Sequence, residues 1–271
     1  MDSKRILYVS QEIHPYLPEN EVSKPSLQLP RKMNEKGHQV RVFMPRYGLI
    51  NERRHQLHEV IRLSGINIII NDMDQPLIIK VASVPQARMQ VYFIDNEEFF
   101  KRKAIFYDED ENFFSDNDQR AIFFCRGVVE TVKKLGWSPD IIHCHGWMAS
   151  FLPLYLKKFH QDDPLFADSK LVQSVYDPKG EKMPESLTDT LKFDGIKGDD
   201  LKKYENADIA DVYQAGASYC DGTVIGSENV PAELQEKLKD SVDNFLEYKG
   251  DDYVDAVHDL YKSLFVEEEV A

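Results

Sequence analysis

Ile6–Ser10 reads ILYVS and His38–Pro45 reads HQVRVFMP. The first is a short, unbroken apolar run, the pattern of a central strand buried on both faces of a parallel sheet. The second alternates Val40, Val42 and Met44, which predicts a half-buried neighbouring strand. Between them Val22–Lys36 has helical spacing and stops at Gly37, a residue suited to a helix C-terminus. A strand, a helix and a second strand in this order form the first half of a doubly wound, mostly parallel α/β sheet.

Outward from this unit the alternation continues. Leu57–Asp95 holds three β-rich runs, HEVIRLSGINIIIN, PLIIKVASV and MQVYFID, separated by turn residues. They predict a hairpin or meander inserted at the sheet edge. Phe99–Asp118 is acidic, aromatic and irregular, a surface loop. Asp118–Leu135 is a helix capped near Asp116 and stopped at Gly136. Asp140–His145 is a strand, Trp147–His160 a helix and Lys170–Tyr176 a strand. Asp177–Asp199, rich in Pro, Gly and charge, is a loop. A helix over Asp200–Cys220, a strand over Gly222–Ser227 and a helix over Val230–Lys239 follow. A strand at Asn244–Tyr248 and a helix at Asp252–Phe265 read as a finished sheet edge, and the acidic tail Glu267–Glu269 as frayed and solvated. No repeat and no long linker divides the chain, so residues 1–271 are expected to form one domain.

Lys and Arg number 33 against 47 Asp and Glu, a net charge of −14. Such a chain repels nucleic acid phosphates and anionic membranes, so neither is an expected partner. Cys125, Cys144 and Cys220 are scattered, without a CxxC pair, which fits a reducing compartment. No signal peptide and no run of 18 apolar residues is present, and the expected location is cytoplasmic.

GxGxxG, Walker, HExxH and GxSxG motifs are absent. The most informative cluster is IIHCHGWMASFLPLYL, residues 141–156. Ligands of open α/β sheets bind beyond the carboxyl ends of the strands, where His143, His145 and Trp147 fall. Residues i and i+2 of a strand share a face, so the histidines could pair on a metal, but no third ligand lies nearby in sequence. The alternatives are a structural role holding a loop backbone and contact with a sugar or nucleotide, Trp147 offering a stacking face. Ser10–Pro15 (SQEIHP) ends the first strand, and Glu12 there either accepts ligand hydroxyls or caps the loop. Asn51–Arg54 (NERR) is an anion site or a solvated ion-pair face.

These stretches resemble the starch synthase catalytic domain, the N-terminal half of ADP-glucose-using glycogen synthases. The likeness runs over roughly residues 4–230, through ILYVSQEIHP, VFMPRYGLINERR, PDIIHCHGWMASFLPLYL and YQAGASYCDGTVIGSE, and the order and spacing of these segments are more specific than any one of them. It is nearest to short, single-domain synthase-like proteins of Bacteroides-type bacteria. The resemblance implies one Rossmann-like half of a GT-B fold, whose active site would lie in the cleft between two such halves.

Departures fall where the family places chemistry. The family's Lys-x-Gly-Gly-Leu phosphate loop aligns with Pro18, Glu19, Asn20, Glu21 and Val22, and a following aspartate with Lys24. Carboxylates therefore stand where a sugar-nucleotide phosphate would dock; two like charges about 4 Å apart near a surface repel by roughly 4 kcal/mol. In the family's His-x-His-Asp-Trp the aspartate is Gly146, and Thr-Val-His-Asn becomes Ser174, Val175, Tyr176 and Asp177. The lysine of Lys-Ala-Gly is Gln214.

The resemblance thus implies a protein of glycogen biosynthesis and α-glucan metabolism that is non-catalytic alone, a pseudoenzyme binding a glucan, a sugar or a protein. The alternatives are a glucosyltransferase completed by another subunit and a structural or regulatory module. Candidate ligand-binding residues are Glu12, His143, His145, Trp147, Tyr176, Asp177 and Gln214. No catalytic residue, metal or cofactor is assigned. Expected partners are an α-glucan or sugar nucleotide, and a second protein or a second copy of the chain.

Overall fold

The computed structural model describes residues 2–84, 87 and 89–265. Ten strands form β1 (Arg5–Ser10), β2 (Gln39–Pro45), β3 (His58–Glu59), β4 (Ile66–Ile70), β5 (Met73–Val84), β6 (Met89–Asp95), β7 (Ile141–His145), β8 (Lys170–Val175), β9 (Gly222–Ile225) and β10 (Phe245–Leu246). The order is β10-β9-β8-β7-β1-β2-β6-β5-β3, with β4 paired to β5. The run from β10 to β6 is parallel throughout. The strand order reverses between β1 and β7: from β1 the sheet grows toward β2, from β7 toward β8. That is the switch point at which ligands of open α/β sheets bind.

The β-rich insertion is smaller than the sequence suggests. The run MQVYFID is β6, a full parallel neighbour of β2 in the register Val42↔Val91 to Pro45↔Ile94. Residue alternation reports which side is buried and says nothing about strand direction, so the three runs look alike. The insertion proper is β3, β4 and β5, all antiparallel pairings, with β5 long enough to pair β4 along its first half and β6 along its second.

The helices are α1 (Pro25–Glu35), α2 (Glu52–His55), α3 (Glu97–Phe100), α4 (Asn117–Leu135), α5 (Leu152–Phe159), α6 (Leu187–Phe193), α7 (Asp199–Lys202), α8 (Ile209–Ala217), α9 (Ala232–Lys239) and α10 (Tyr253–Ser263). Helix α1 starts later than expected. The Asn20 side chain accepts from Val22 and Ser23 N–H, which closes a turn, and Pro25 then opens the helix. Trp147–Phe151 is a 3-10 turn ahead of α5. The loop expected at 177–199 contains α6, whose Thr190 hydroxyl and preceding Ser186 hydroxyl donate to the buried Asp118 carboxylate. The helix expected over 200–220 breaks before Asp208, which forms a capping box with Asp211 and restarts the chain as α8. Glu267–Glu269 lies outside the described residues.

Neighbouring residues of β8 show how the layers divide. Gln173 donates to the Tyr213 carbonyl of α8, whereas Ser174 bonds the Tyr253 hydroxyl of α10. Successive strand residues face opposite sides, so α8 and α10 cover opposite faces. Helices α4 and α5 pack together with α8 on one face, and α1 packs with α10 on the other. Strands β1, β7, β8 and β9 are buried almost without exception, and one contiguous apolar core spans both layers.

Candidate functional site

At the switch point a cleft of about 320 Å³ opens above the carboxyl ends of β1, β7 and β8. Glu12, Asn20 and Glu21 come from the segment after β1, Trp147 from the turn after β7, and Tyr176, Asp177 and Lys179 from the segment after β8. Phe106 and Tyr107 form one wall, and Tyr213 and Asn229 belong to the rim opposite. Four sequence candidates, Glu12, Trp147, Tyr176 and Asp177, meet here.

Glu12 is 7% exposed. Its carboxylate accepts from Asn20 Nδ2 at 2.6 Å and from Gln11 Nε2 at 3.3 Å. Burial pushes its pKa above the ordinary carboxylate value, while these two donors and the nearby Lys179 ammonium pull the other way. Glu21 accepts from Ser227 Oγ at 2.6 Å and Asn229 Nδ2 at 3.2 Å, so the segment after β1 is tied across the cleft to the one after β9. Asp177 accepts from the Lys179 N–H at 2.9 Å, shaping the turn that presents Lys179.

Trp147 is 4% exposed, and its indole sits against Phe106 and Phe113 with centroids 5.1 and 5.6 Å away. The stacking face expected for a sugar is therefore already covered by the chain's own aromatics. The segment carrying them is the expected surface loop, exposed at Asp108–Asn112 but anchored from beneath. Arg120, fully buried in α4, donates to the carbonyls of Phe99 and Ile105 at 2.8 and 2.7 Å, and Arg102 pairs with Asp116. Asp116 spends its carboxylate on that ion pair and makes no side-chain cap to α4. Burial, with the nearby Glu181 carboxylate, pushes the Tyr107 pKa up to about 12.

His143 and His145 do not line the cleft. Both are fully buried in β7, on the face covered by α10, with centroids 4.3 Å apart. His143 Nδ1 is 2.6 Å from the Tyr261 hydroxyl and Nε2 is 2.8 Å from Ser174 Oγ. Tyr261 in turn donates to Tyr8 at 3.1 Å. A neutral imidazole satisfies this set, Nδ1–H donating to Tyr261 and Nε2 accepting from Ser174. Burial holds its pKa well below the ordinary value. His145 Nδ1 lies 2.8 Å from the Tyr176 hydroxyl, its Nε2 has no partner among the described residues, and burial pushes its pKa down to about 3. Two neutral, enclosed rings hold the ends of β7 and β8 in place; of the two roles open for them, structure is the one their burial fits.

Gln214 is elsewhere, in a hollow with Lys202, Lys203 and Asp211 on the outer side of α8. Among the described residues no group of three His, Cys, Asp or Glu is arranged to hold a metal ion. In the NERR segment Glu52 pairs with Arg46 and Lys80, which also hold Asp95, an ion-pair cluster at the start of α2. Asn20, Phe106, Tyr107, Lys179, Tyr213 and Asn229 were not singled out as ligand contacts from the sequence. For Asn20, Lys179 and Asn229 the available signal is position, on segments that directly follow the parallel strands β1, β8 and β9.

Two glycines make room for cleft residues. Gly146 has φ +84°, and a Cβ there would run into the Gln11 side chain, whose Oε1 accepts from Met148 N–H. A Cβ on Gly226 would come within 2.5 Å of the Tyr176 ring.

The sheet order, the cleft at its switch point and the two helical layers define a Rossmann-like domain of the GT-B type. The starch synthase catalytic domain profile matches residues 5–248, and the chain belongs to that family. Glycogen synthase of Chlorobium limicola is 40% identical over 173 residues, 64% of this chain and 35% of that protein. Glycogen synthase of Chlorobium luteolum is 39% identical over 207 residues, 76% of this chain and 42% of that protein. The chain thus spans well under half the length of these curated relatives. The catalytic domain of starch synthase IV from Arabidopsis thaliana, solved with ADP and acarbose, has the same fold at TM-score 0.72 and 16% identity, over 91% of this chain and 51% of that one. Among the described residues no helix is long and apolar enough to cross a membrane.

Proposed function

We propose that this chain binds an uncharged saccharide, an α-glucan segment in the first instance, in the cleft at the switch point, and that it does not transfer glucose by itself. One observation carries the reading: Glu21 lines the cleft on the stretch aligned with the family's glycine-rich phosphate loop, and Glu12, from the turn just after β1, lines the same cleft. Carboxylates accept hydrogen bonds from sugar hydroxyls and repel phosphate. Lys179 is the single cation among the cleft-lining residues, against Glu12, Glu21 and Asp177. Asn20 and Asn229 supply amide groups of the kind that bind hydroxyls, and Phe106 and Tyr107 an apolar wall. Family membership supports the choice of α-glucan, since the Chlorobium relatives are glycogen synthases. The domain acts as one unit in this reading.

Isothermal titration of the chain with maltoheptaose and with ADP-glucose tests this. The expected result is saturable heat with maltoheptaose and none with ADP-glucose. Tight ADP-glucose binding accompanied by glucose incorporation into glycogen overturns it. The competing reading, a transferase completed by a second subunit, draws on the 51% of the Arabidopsis domain that is matched and the remainder that is not. It requires radiolabel incorporation by material co-purified with the tagged chain.

A further inference from the structure

Helix α10 returns from the β10 edge to lie beside α1, and two of its tyrosines complete the buried network. Tyr261 serves His143 and Tyr8, and Tyr253 bonds Ser174 Oγ at 2.9 Å and lies beside the Tyr176 hydroxyl. Tyr176 is a wall of the cleft. Docking of α10 is therefore connected to the cleft by a short run of hydroxyl and imidazole groups.

The side of α10 turned toward β2 carries a second contact. His258 Nε2 lies 3.4 Å from Nε2 of His38, the residue preceding β2. His38 Nδ1 accepts the Lys4 backbone N–H at 3.1 Å. A neutral imidazole with an accepting Nδ1 carries its proton on Nε2, so His38 donates to His258. A metal ion bridging the two rings would need a lone pair on both Nε2 atoms, and His38 has none there. His38 keeps both of its hydrogen bonds, from Lys4 and to His258, only while both rings are neutral.

We propose that the His38–His258 pair is an acid-sensitive latch on α10, whose protonation frees the helix and loosens the cleft wall at Tyr176. Each way of adding a proton breaks a bond. A proton on His258 sets its Nε2–H against that of His38. A proton on His38 sets Nδ1–H against the Lys4 N–H. The surroundings compensate little: the Asp259 carboxylate favours a charged His258, but desolvation and the neighbouring cations outweigh it. Lys4 precedes β1, Lys36 ends α1 and Lys262 lies one turn along α10. The acids within reach are already paired, Asp255 with Lys36 at 3.2 Å and Asp259 with Lys262 at 2.8 Å. Burial, with the Lys36 and Lys262 charges, holds both rings below the ordinary histidine value. A histidine whose folded pKa is depressed costs stability as pH falls through the unfolded value and on toward the folded one, so the latch weakens below about pH 6.5.

The test is hydrogen–deuterium exchange of the full chain at pH 7.5 and 5.5, corrected for intrinsic rates, read on peptides from α10 and from α4. The wild-type α10 peptide is expected to lose about tenfold in protection at the lower pH, one pK unit's worth, while α4 holds. In His258→Gln the side-chain oxygen accepts from His38 and cannot titrate, which leaves only the His38 route, so the loss should shrink to well under tenfold. A wild-type α10 that ignores pH overturns the latch, as does an equal acid response in His258→Gln or a parallel loss in α4, which would mark global unfolding. Should His258→Gln fail to fold, His38→Gln makes the same measurement, its amide accepting from Lys4 and donating to His258.

Discussion

Two groups of side chains stand within a few residues of one another at the ends of β7 and β8, yet they meet different surroundings. His143, His145 and Ser174 belong to the strands and point into the layer under α10, where every one is enclosed. Trp147, Tyr176, Asp177 and Lys179 come one to four residues past the strand ends and line the cleft. A strand directs its side chains into one of two packed faces, and only the chain beyond its last residue can turn toward a ligand. The enclosed group fixes the sheet, and the second group borders the cleft, with Trp147 and Tyr176 nearly buried in its wall.

The largest expected effect is on the boundary between the two groups. Gly146→Asp restores the residue common in the family, but at φ +84° and against Gln11 it should cost about 3 kcal/mol or more. An unchanged urea midpoint would show that Gln11 moves aside freely. Next comes the enclosed side: Tyr261→Phe strips the hydroxyl from His143 and Tyr8, at about 1–3 kcal/mol, read by the same titration. On the open side Glu12→Gln should change stability by under about 1 kcal/mol, and in a pH-dependent way. The Glu12 pKa is raised by burial, so wild-type stability falls as pH rises through the ordinary carboxylate value of 4.5. The variant escapes that fall, and its midpoint should match or exceed wild type at pH 7 and coincide with it at pH 3.5. A variant less stable at pH 7 would mean that the Asn20 and Gln11 bonds outweigh burial. Smallest is Lys179→Ala, within about 0.5 kcal/mol of wild type, with any weak phosphate binding seen by titration diminished.

The doubly wound frame is legible because its strands are buried on both faces and written as unbroken apolar runs, ILYVS and DIIHCH among them. Direction is not: nothing in the alternation of MQVYFID distinguishes β6 from the antiparallel strands before it. The cleft is legible at Glu12, Trp147, Tyr176 and Asp177, which lie beside recognisable strand ends. His143 and His145 mislead, because their exclusion depends on α10, about 110 residues later in the chain (the His143–Tyr261 bond spans 118 positions). Gln214 misleads for the opposite reason: α8 turns that position outward, and a helix that begins at an Asp208 cap sets its facing independently of the strand before it. Phe106 and Phe113 look like loop residues until Arg120, charged and buried, is seen holding the carbonyls of Phe99 and Ile105 just ahead of them.

The enclosure of Trp147 has a spectroscopic consequence. The chain has two tryptophans, and the other, Trp137, lies under the Arg41 guanidinium 4.7 Å from its ring. The two indoles thus report on different places, one on the aromatic wall of the cleft and one on the far end of the sheet. In a Trp137→Phe background the emission maximum would follow the Phe106–Phe113 segment alone, blue while the wall is shut and red when it parts, without any dye attached.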